Sequence, residues 1–548
     1  MMEEFIVKAR PRLRRFHQAK WDEALIFALG SPGERGILVP TVEPEVAMAV
    51  EGRLNVPGAL TRVNPPLLPE IAQMQVLRHY LRLSQETLGV DLNVDIGQGT
   101  CTIKYSPKVN DTFVRSTKIA DVHPLQDPST IQGVLEVHSR LEEMFKSISG
   151  LDRFSFQPGG GSAAIYTNIR MMQAYHASRG EAEQRDEVIT TIFSHPSNAA
   201  CARTCGYRVI TLYPDADGYP SVEALAGAVS ERTAALLITN PEDIGVFNPR
   251  IAEFVRLTHE VGGLAIYDQA NANGLLGISR AREAGFDMCQ FNLHKSFAAP
   301  HASGGPAAGA CGVTDSLAPF LPRPTVEFDG SNYFLDNDRP QSIGKVRPFY
   351  GVTANILRAY AWIMTLGAQG LRQVSETAVL NNNYMMQRML EIPGVTAPYA
   401  LGGRRVEQVR YSWEQLTAET GVNSSQIGDR AADFGVHYWT SHHPYVVAEP
   451  ATLEPSESFS KTDIDEYVDI MRHIAEEARV EPDLVRSAPH ASTIHQIDHE
   501  AMGDPESWAM TWRAYRRKYL GHEVSEPPPW QPGADVPTSS VREKVRHR

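Results

Sequence analysis

Apolar positions recur in two rhythms along this chain. Near Glu70 the segment IAQMQVLRHYLRLSQETLG brings Ile71, Met74, Val76, Leu77, Tyr80 and Leu81 largely onto one face of a predicted helix. From about residue 130 to 315 the rhythm changes. Short apolar runs rich in β-branched residues, VITTIF (188–193), YRVITL (207–212), AALLIT (234–239), LAIYD (264–268) and MCQFN (288–292), alternate with the helically spaced GSAAIYTNIRMMQAYH, SVEALAGAVSE and PRIAEFVRLTHEVG. That alternation predicts an α/β domain with a mainly parallel sheet, in which ligands sit at the carboxyl ends of the strands. A long apolar helical stretch follows (GVTANILRAYAWIMTLG, then VLNNNYMMQRMLE). Residues 390–490 then read as a smaller α+β domain, with strand-like VEQVRYS and YVVAE among the helical SSQIGDRAADFG and KTDIDEYVDIMRHIAEEA.

The expected organisation is an N-terminal arm and wrapping segment (1–130), a large α/β domain (131–350), an interdomain helix with a small C-terminal α+β domain (351–500), and a C-terminal extension (501–548). The first 20 or so residues are basic and amphipathic, either a helical arm or a solvated face. Residues 30–70 are rich in Pro and Gly and read as an irregular wrapping segment. The last 25 or so are Pro-rich and polar, the composition of a mobile tail. With 52 basic and 65 acidic residues among 548, the net charge of −13 does not suit a generic nucleic-acid binder. No uninterrupted apolar stretch approaches the length of a membrane span, and the N-terminus lacks the apolar core of a secretory signal. Five scattered cysteines (Cys101, Cys201, Cys205, Cys289, Cys311) lack zinc-site spacing. They read as buried, reduced thiols of a cytoplasmic protein.

Three chemical features follow one another inside the α/β region. Gln157-Pro158-Gly159-Gly160-Gly161-Ser162 precedes a helical segment, a turn whose N–H groups can close around an anion at a helix N-terminus. Asp268 ends the run LAIYD, where it either points into a cleft or caps the next helix. Lys295 follows MCQFN in Asn292-Leu293-His294-Lys295-Ser296 and is either solvated or a buried amine able to form a Schiff base. A phosphate loop, an acid for a pyridinium nitrogen and a Schiff-base lysine are together what pyridoxal 5'-phosphate requires.

At this point the chain resembles a known family, the glycine decarboxylase P-protein of the glycine cleavage system, in its C-terminal, lysine-bearing half or second subunit. The resemblance is carried by DMCQFNLHKSFAAPHASGGPAAGACGV (287–313), GTCTIKYSPKVN (99–110), HPLQ (123–126), FQPGGGS (156–162), TNPEDIGVF (239–247), YDQANANG (267–274), DRPQSIGKVRPFYG (338–351) and APHAST (488–493), in family order over roughly residues 30–495. It implies a fold-type-I, pyridoxal-phosphate-dependent enzyme: a large domain with a mainly parallel, seven-stranded-type sheet plus a small C-terminal α+β domain. Carried over by motif, Lys295 forms the Schiff base and Asp268 pairs with the ring nitrogen. His195, in HPSN, stacks on the ring, and Gly160, Gly161 and Ser162 lie near the phosphate. Thr100 and Thr239 lie near the cofactor cleft. His294 is either a second layer around the site or a structural neighbour. Arg347 either receives a substrate carboxylate or makes a structural ion pair.

The implied reaction is loss of CO2 from glycine, with transfer of the aminomethyl group to a lipoylated carrier protein. The implied assembly is a homodimer, or a heterotetramer with a first-subunit-like chain. The chain departs from the family at GGGSAAIY, HPSNAAC, PHASGGPA and Arg405-Val406-Glu407-Gln408-Val409. A second reading is therefore a diverged relative acting on another amino acid by decarboxylation, Cα–Cβ cleavage or transamination. A third is a non-catalytic subunit, disfavoured because such a subunit has no need of a buried amine.

Overall fold

The structure is a computed structural model that describes residue 13 and residues 16–37, 40–51, 57–61, 68–88, 92–94, 96–97, 104–300, 307–439, 446–493 and 496. Thr100, Cys101, most of the basic N-terminus, the HASGGP segment after Lys295 and the 501–548 extension lie outside the described residues. The chain forms two compact units, Met1–Phe16 with Leu88–Ala491, and His17–Thr87 with Ser492–Arg548.

The first unit is built on seven strands: β1 (Arg153–Ser155), β2 (Glu187–Thr191), β3 (Arg208–Leu212), β4 (Thr233–Thr239), β5 (Leu264–Gln269), β6 (Met288–Asn292) and β7 (Gly309–Val313). Their order across the sheet is β1-β7-β6-β5-β4-β2-β3. β7 runs antiparallel to both its neighbours and the other six strands point one way. The five apolar runs of the sequence are β2 to β6. β5 and β6 are buried at every position and β4 at all but its last, which is why they read as unbroken apolar runs.

The helix Gln132–Ser149 buries Val134, Leu135, His138, Leu141 and Phe145, and Gly150 ends it in a left-handed conformation at φ 76°. Phe145 packs on Phe154, Phe156, Phe291 and Phe297 with ring centroids 4.7–5.4 Å apart. Phe291 lies on β6 and Phe297 directly follows the helical turn Leu293–Ser296. The aromatic cluster therefore grips both ends of the segment that carries Lys295. Truncating a ring of this kind costs about 3–5 kcal/mol.

The long apolar stretch after the sheet is one helical run, Thr353–Met389, broken at Gly367 (φ 61°). Two strands, Val409–Ser412 and Pro450–Leu453, pair antiparallel beyond it, and the helices Ser424–Ala432 and Lys461–Val480 form as expected. Two strand expectations need correction. The described part of YVVAE, residues 446–449, is not a strand: the chain turns there, Glu449 sits at φ 46°, and the strand begins at Pro450, while Tyr445 lies outside the described residues. Likewise VEQVRYS is extended only from Val409. Val406 N–H donates to the Gly245 carbonyl at 2.9 Å, so this stretch bonds a loop of the large sheet instead of a strand.

In the second unit the helix Gln73–Gln85 forms, but its expected core face is uncovered. Met74, Leu77, Tyr80 and Leu81 are each about half exposed. The buried residue is His79, whose Nδ1 lies 2.8 Å from Glu23 Oε2. Among the described residues Cys201, Cys205, Cys289 and Cys311 are free, and no group of His, Cys, Asp and Glu is arranged to hold a metal. No described helix is long and apolar enough to cross a membrane.

Candidate active site

The parallel strands bring residues from distant parts of the chain to one edge of the sheet. Neighbouring carboxyl ends carry, in spatial order, His195 beyond β2, Thr239 at the end of β4, Asp268 on β5 and Lys295 beyond β6. The glycine turn beyond β1 opens on the same edge, because β1 runs parallel to these strands.

Asp268 is 2% exposed. Its Oδ1 accepts from Gln290 Nε2 and, at 3.0 Å, from the Ala270 N–H; its Oδ2 accepts from Thr239 Oγ1 at 3.3 Å. Gln290 lies on β6 and Thr239 on β4, so both neighbouring strands orient the carboxylate. Thr239 N–H donates to Ser194 Oγ at 3.2 Å, and Ser194 Oγ lies 2.8 Å from Thr191 Oγ1. His195 caps the helix Pro196–Thr204, its Nδ1 accepting from Ser197 N–H at 3.1 Å. A neutral ring held this way carries its proton on Nε2.

The glycine turn is closely fitted. A Cβ on Gly159 would lie 2.5 Å from Arg347 Nη1, and one on Gly161 would lie 2.7 Å from Asn292 Nδ2. Gly309 N–H donates to the Pro158 carbonyl at 3.0 Å, which lays the start of β7 against the turn. Gly161 opens the helix Gly161–Ser178, whose first-turn N–H groups have no acceptors within the helix. Ser162 is exposed in that first turn. Arg347 makes no ion pair among the described residues; its guanidinium lies against the glycine backbone.

Lys295 is 5% exposed and makes no hydrogen bond or ion pair among the described residues. Ser296 Oγ accepts from the Ala272 N–H at 2.7 Å, which ties the lysine turn to the loop after Asp268. His294 Nδ1 lies 3.0 Å from the Ala308 carbonyl oxygen, holding β7 to the same turn.

The structure adds residues that the sequence reading had not picked out as functional. Glu454 is wholly buried and accepts from Asn271 Nδ2 at 2.7 Å and Asn273 Nδ2 at 2.5 Å. Burial pushes its carboxyl up to about 7, against the pull of those amides, Lys295 and Lys104. Glu407 is 2% exposed, its Oε2 has no hydrogen-bond partner among the described residues, and burial raises it well above the usual carboxylate range. Lys104, buried and 3.1 Å from Glu457, is lowered by desolvation. The only sequence signals were an acid closing the apolar strand PATL and a lysine inside TIKY.

Comparison with known proteins places this geometry. Residues 374–490 match the family described as glycine dehydrogenase, C-terminal domain, and residues 160–304 match aminotransferase class-V. The chain is 41% identical over 503 residues to "Probable glycine dehydrogenase (decarboxylating) subunit 2" of Pyrococcus abyssi, covering 91% of this chain and 98% of that protein. It is 39% identical to the protein of the same name from Halalkalibacterium halodurans, covering 87% and 96%. In fold it matches a solved structure titled as glycine decarboxylase (P-protein) of the glycine cleavage system, in inhibitor-bound form, with TM-score 0.67, 19% identity, and coverage of 80% of this chain and 100% of that one. A NifS-like protein matches with TM-score 0.52 and 13% identity, covering 69% and 98%. The large sheet and the smaller C-terminal part are thus those of a fold-type-I enzyme.

Proposed function

The chain belongs to the family of glycine dehydrogenase (decarboxylating) subunit 2, and on that premise we propose that it is the lysine-bearing subunit of a glycine-decarboxylating enzyme that works with pyridoxal 5'-phosphate. The observation that carries the reading is the seating of Lys295, Asp268, Thr239, His195 and the Gly159–Gly161 turn along one edge of the sheet.

The residues fit this cofactor. A buried amine with no hydrogen-bond partner among the described residues, a buried carboxylate fixed by three donors, and a turn with no room for a Cβ at Gly159 or Gly161 are what its aldehyde, ring nitrogen and phosphate call for. When bound, the cofactor supplies an aldehyde carbon for amines and a ring that withdraws electrons from the substrate carbon. Lys295 Nζ is the amine that would hold it covalently. Asp268 would keep the proton on the ring nitrogen, and the Thr239 hydroxyl fixes the carboxylate rotamer that does so. His195 would flank the ring. Gly160, Gly161 and Ser162 would turn N–H groups to the phosphate. Arg347, without an ion pair among the described residues and beside the turn, would take the glycine carboxylate through its two-pronged guanidinium.

The subunit name of the relatives supports a partner chain of the first-subunit kind. The uncovered apolar side of the helix Gln73–Gln85 suits such a partner. A lipoylated carrier protein is the proposed acceptor of the aminomethyl group.

The test is the visible absorption spectrum of the purified protein with pyridoxal 5'-phosphate, titrated with glycine and then with other amino acids. A cofactor band that glycine perturbs, and that Lys295→Ala lacks, is the expected result. A band indifferent to glycine but shifted by another amino acid would overturn the glycine assignment.

A further inference from the structure

We propose that Glu242 and the hydroxyls of Thr191 and Ser194 form a brace that positions Asp268, by fixing the backbone of Thr239, the residue whose hydroxyl orients that carboxylate. The inference rests on Asp268 being the acid for the cofactor's ring nitrogen. The brace is continuous in hydrogen bonds. Thr239 N–H donates to Ser194 Oγ at 3.2 Å, Ser194 Oγ lies 2.8 Å from Thr191 Oγ1, and Thr191 Oγ1 donates to Glu242 Oε2 at 2.8 Å. A hydroxyl has one hydrogen to give. Thr191 gives its hydrogen to Glu242, so it takes one from Ser194, and Ser194 in turn takes the Thr239 N–H. Every donor points toward Glu242, and the carboxyl is the terminal acceptor. Thr191, Ser194 and Glu242 are all buried, so water does not compete for these hydrogens.

The base of the brace is fixed by backbone bonds. Glu242 N–H donates to the Val246 carbonyl at 2.9 Å, and Asp243 N–H to the Phe193 carbonyl at 3.2 Å. The loop after β4 is thereby tied to the loop after β2, which carries both Ser194 and His195. The charged groups acting on Glu242 are Asp243 and Arg410, and these pair with one another, Arg410 Nη2 lying 3.4 Å from Asp243 Oδ2. Burial raises the Glu242 carboxyl well above the usual range, which suits a neutral acceptor. At the other end, Asp268 Oδ1 takes Gln290 and the Ala270 N–H, whereas Oδ2 takes the Thr239 hydroxyl at 3.3 Å. That is longer than an ordinary O–H···O bond, so a shift of roughly a few tenths of an ångström at Thr239 loses it. A residue held at its N–H cannot make that shift.

The experiment measures dissociation constants by absorbance on the full-length protein, for pyridoxal 5'-phosphate and for an analogue whose ring nitrogen is replaced by C–H. Asp268 can pair with the first and not with the second. Ser194→Ala should weaken pyridoxal 5'-phosphate roughly tenfold, the effect of one hydrogen bond to a charged group, and the analogue by less than about twofold. Glu242→Gln keeps an acceptor oxygen and should stay within roughly threefold of wild type, whereas Glu242→Met should match Ser194→Ala. In a Thr239→Val background, which has already lost the hydroxyl on Asp268, Ser194→Ala should cost nothing more. Equal losses of both ligands in Ser194→Ala, or the same loss with and without the Thr239 hydroxyl, would reduce the chain to packing and overturn the proposal. So would a Glu242→Gln as damaged as Glu242→Met. Should Glu242→Met fail to fold by circular dichroism, the two Ser194→Ala comparisons decide alone. Wild-type protein that binds both ligands equally would refute the pairing of Asp268 with the ring nitrogen itself, a failure of the cofactor reading that is distinct from a failure of the brace.

Discussion

Two adjacent glycines of the turn should respond oppositely to the same added methyl group. At Gly161 a Cβ would lie 2.7 Å from Asn292 Nδ2 and 2.9 Å from Oδ1, with Asn292 itself 3% exposed. That is roughly 0.8 Å short of an ordinary contact. Asn292 ends β6 directly before the Lys295 turn, so it cannot retreat without carrying that turn with it. At Gly160 a Cβ would meet, among the described residues, Ala307 Cβ alone, at 3.5 Å, and the backbone there is extended. Overpacking of the first kind costs about 1–3 kcal/mol. The cofactor-free protein can relieve it by opening the turn, so the cost is felt on binding, as a dissociation constant for pyridoxal 5'-phosphate weakened about 5- to 150-fold in Gly161→Ala. Gly160→Ala should bind within roughly threefold of wild type and lose no stability, because alanine restricts the unfolded chain by about 0.4–1 kcal/mol. Titrating the absorbance of both variants with cofactor measures the contrast. Equal losses, or a larger loss at Gly160, would refute the assignment of Gly161 and Asn292 as the tight point of the cradle.

Three further outcomes follow from particular contacts. Gly245→Ala should yield little folded protein by circular dichroism: its φ is 79° and a Cβ would lie 1.8 Å from the Gln408 carbonyl oxygen, a cost above about 3 kcal/mol. Arg347→Lys should raise KM for glycine by roughly tenfold with a smaller change in kcat, since lysine keeps the charge and loses the two-pronged grip; an unchanged KM would remove Arg347 from the carboxylate site. His138 is buried with no partner for Nε2 among the described residues, and burial lowers it from 6.5 to about 4. The unfolded chain therefore takes up the extra proton first, and stability present above pH 6.5 drains away as pH falls toward 4, by about 3 kcal/mol in all. His138→Leu should flatten the fall in melting temperature across that window, and an unchanged slope would contradict the linkage.

Local sequence rules carried the sheet because its central strands are buried on both faces, which leaves an unbroken apolar run as the signature. They carried the edge residues because parallel topology forces strand ends together whatever the loops between them do. They failed at YVVAE, where extension waits for Pro450 after a left-handed Glu449, and at the helix Gln73–Gln85, whose apolar face is real but uncovered by its own unit. The most instructive failure is Glu454. Its donors, Asn271 and Asn273, lie 183 and 181 residues earlier, so no spacing rule links them. Yet the group was detectable in another way. Lys104, Glu407 and Glu454 are side chains that ordinary partitioning puts in water, and each stands in or beside an apolar stretch. Burying them is unfavourable unless they balance one another or serve a buried reactive group. Lys104 is balanced by Glu457. Glu407 is held toward its neutral form by burial and by Glu454, and the cation acting on both is Lys295, which hydrogen-bonds to neither among the described residues. A structural ion pair would close that gap with a hydrogen bond. Leaving the amine open beside two acids preserves its freedom to bond elsewhere, which a reactive lysine requires and a structural one does not.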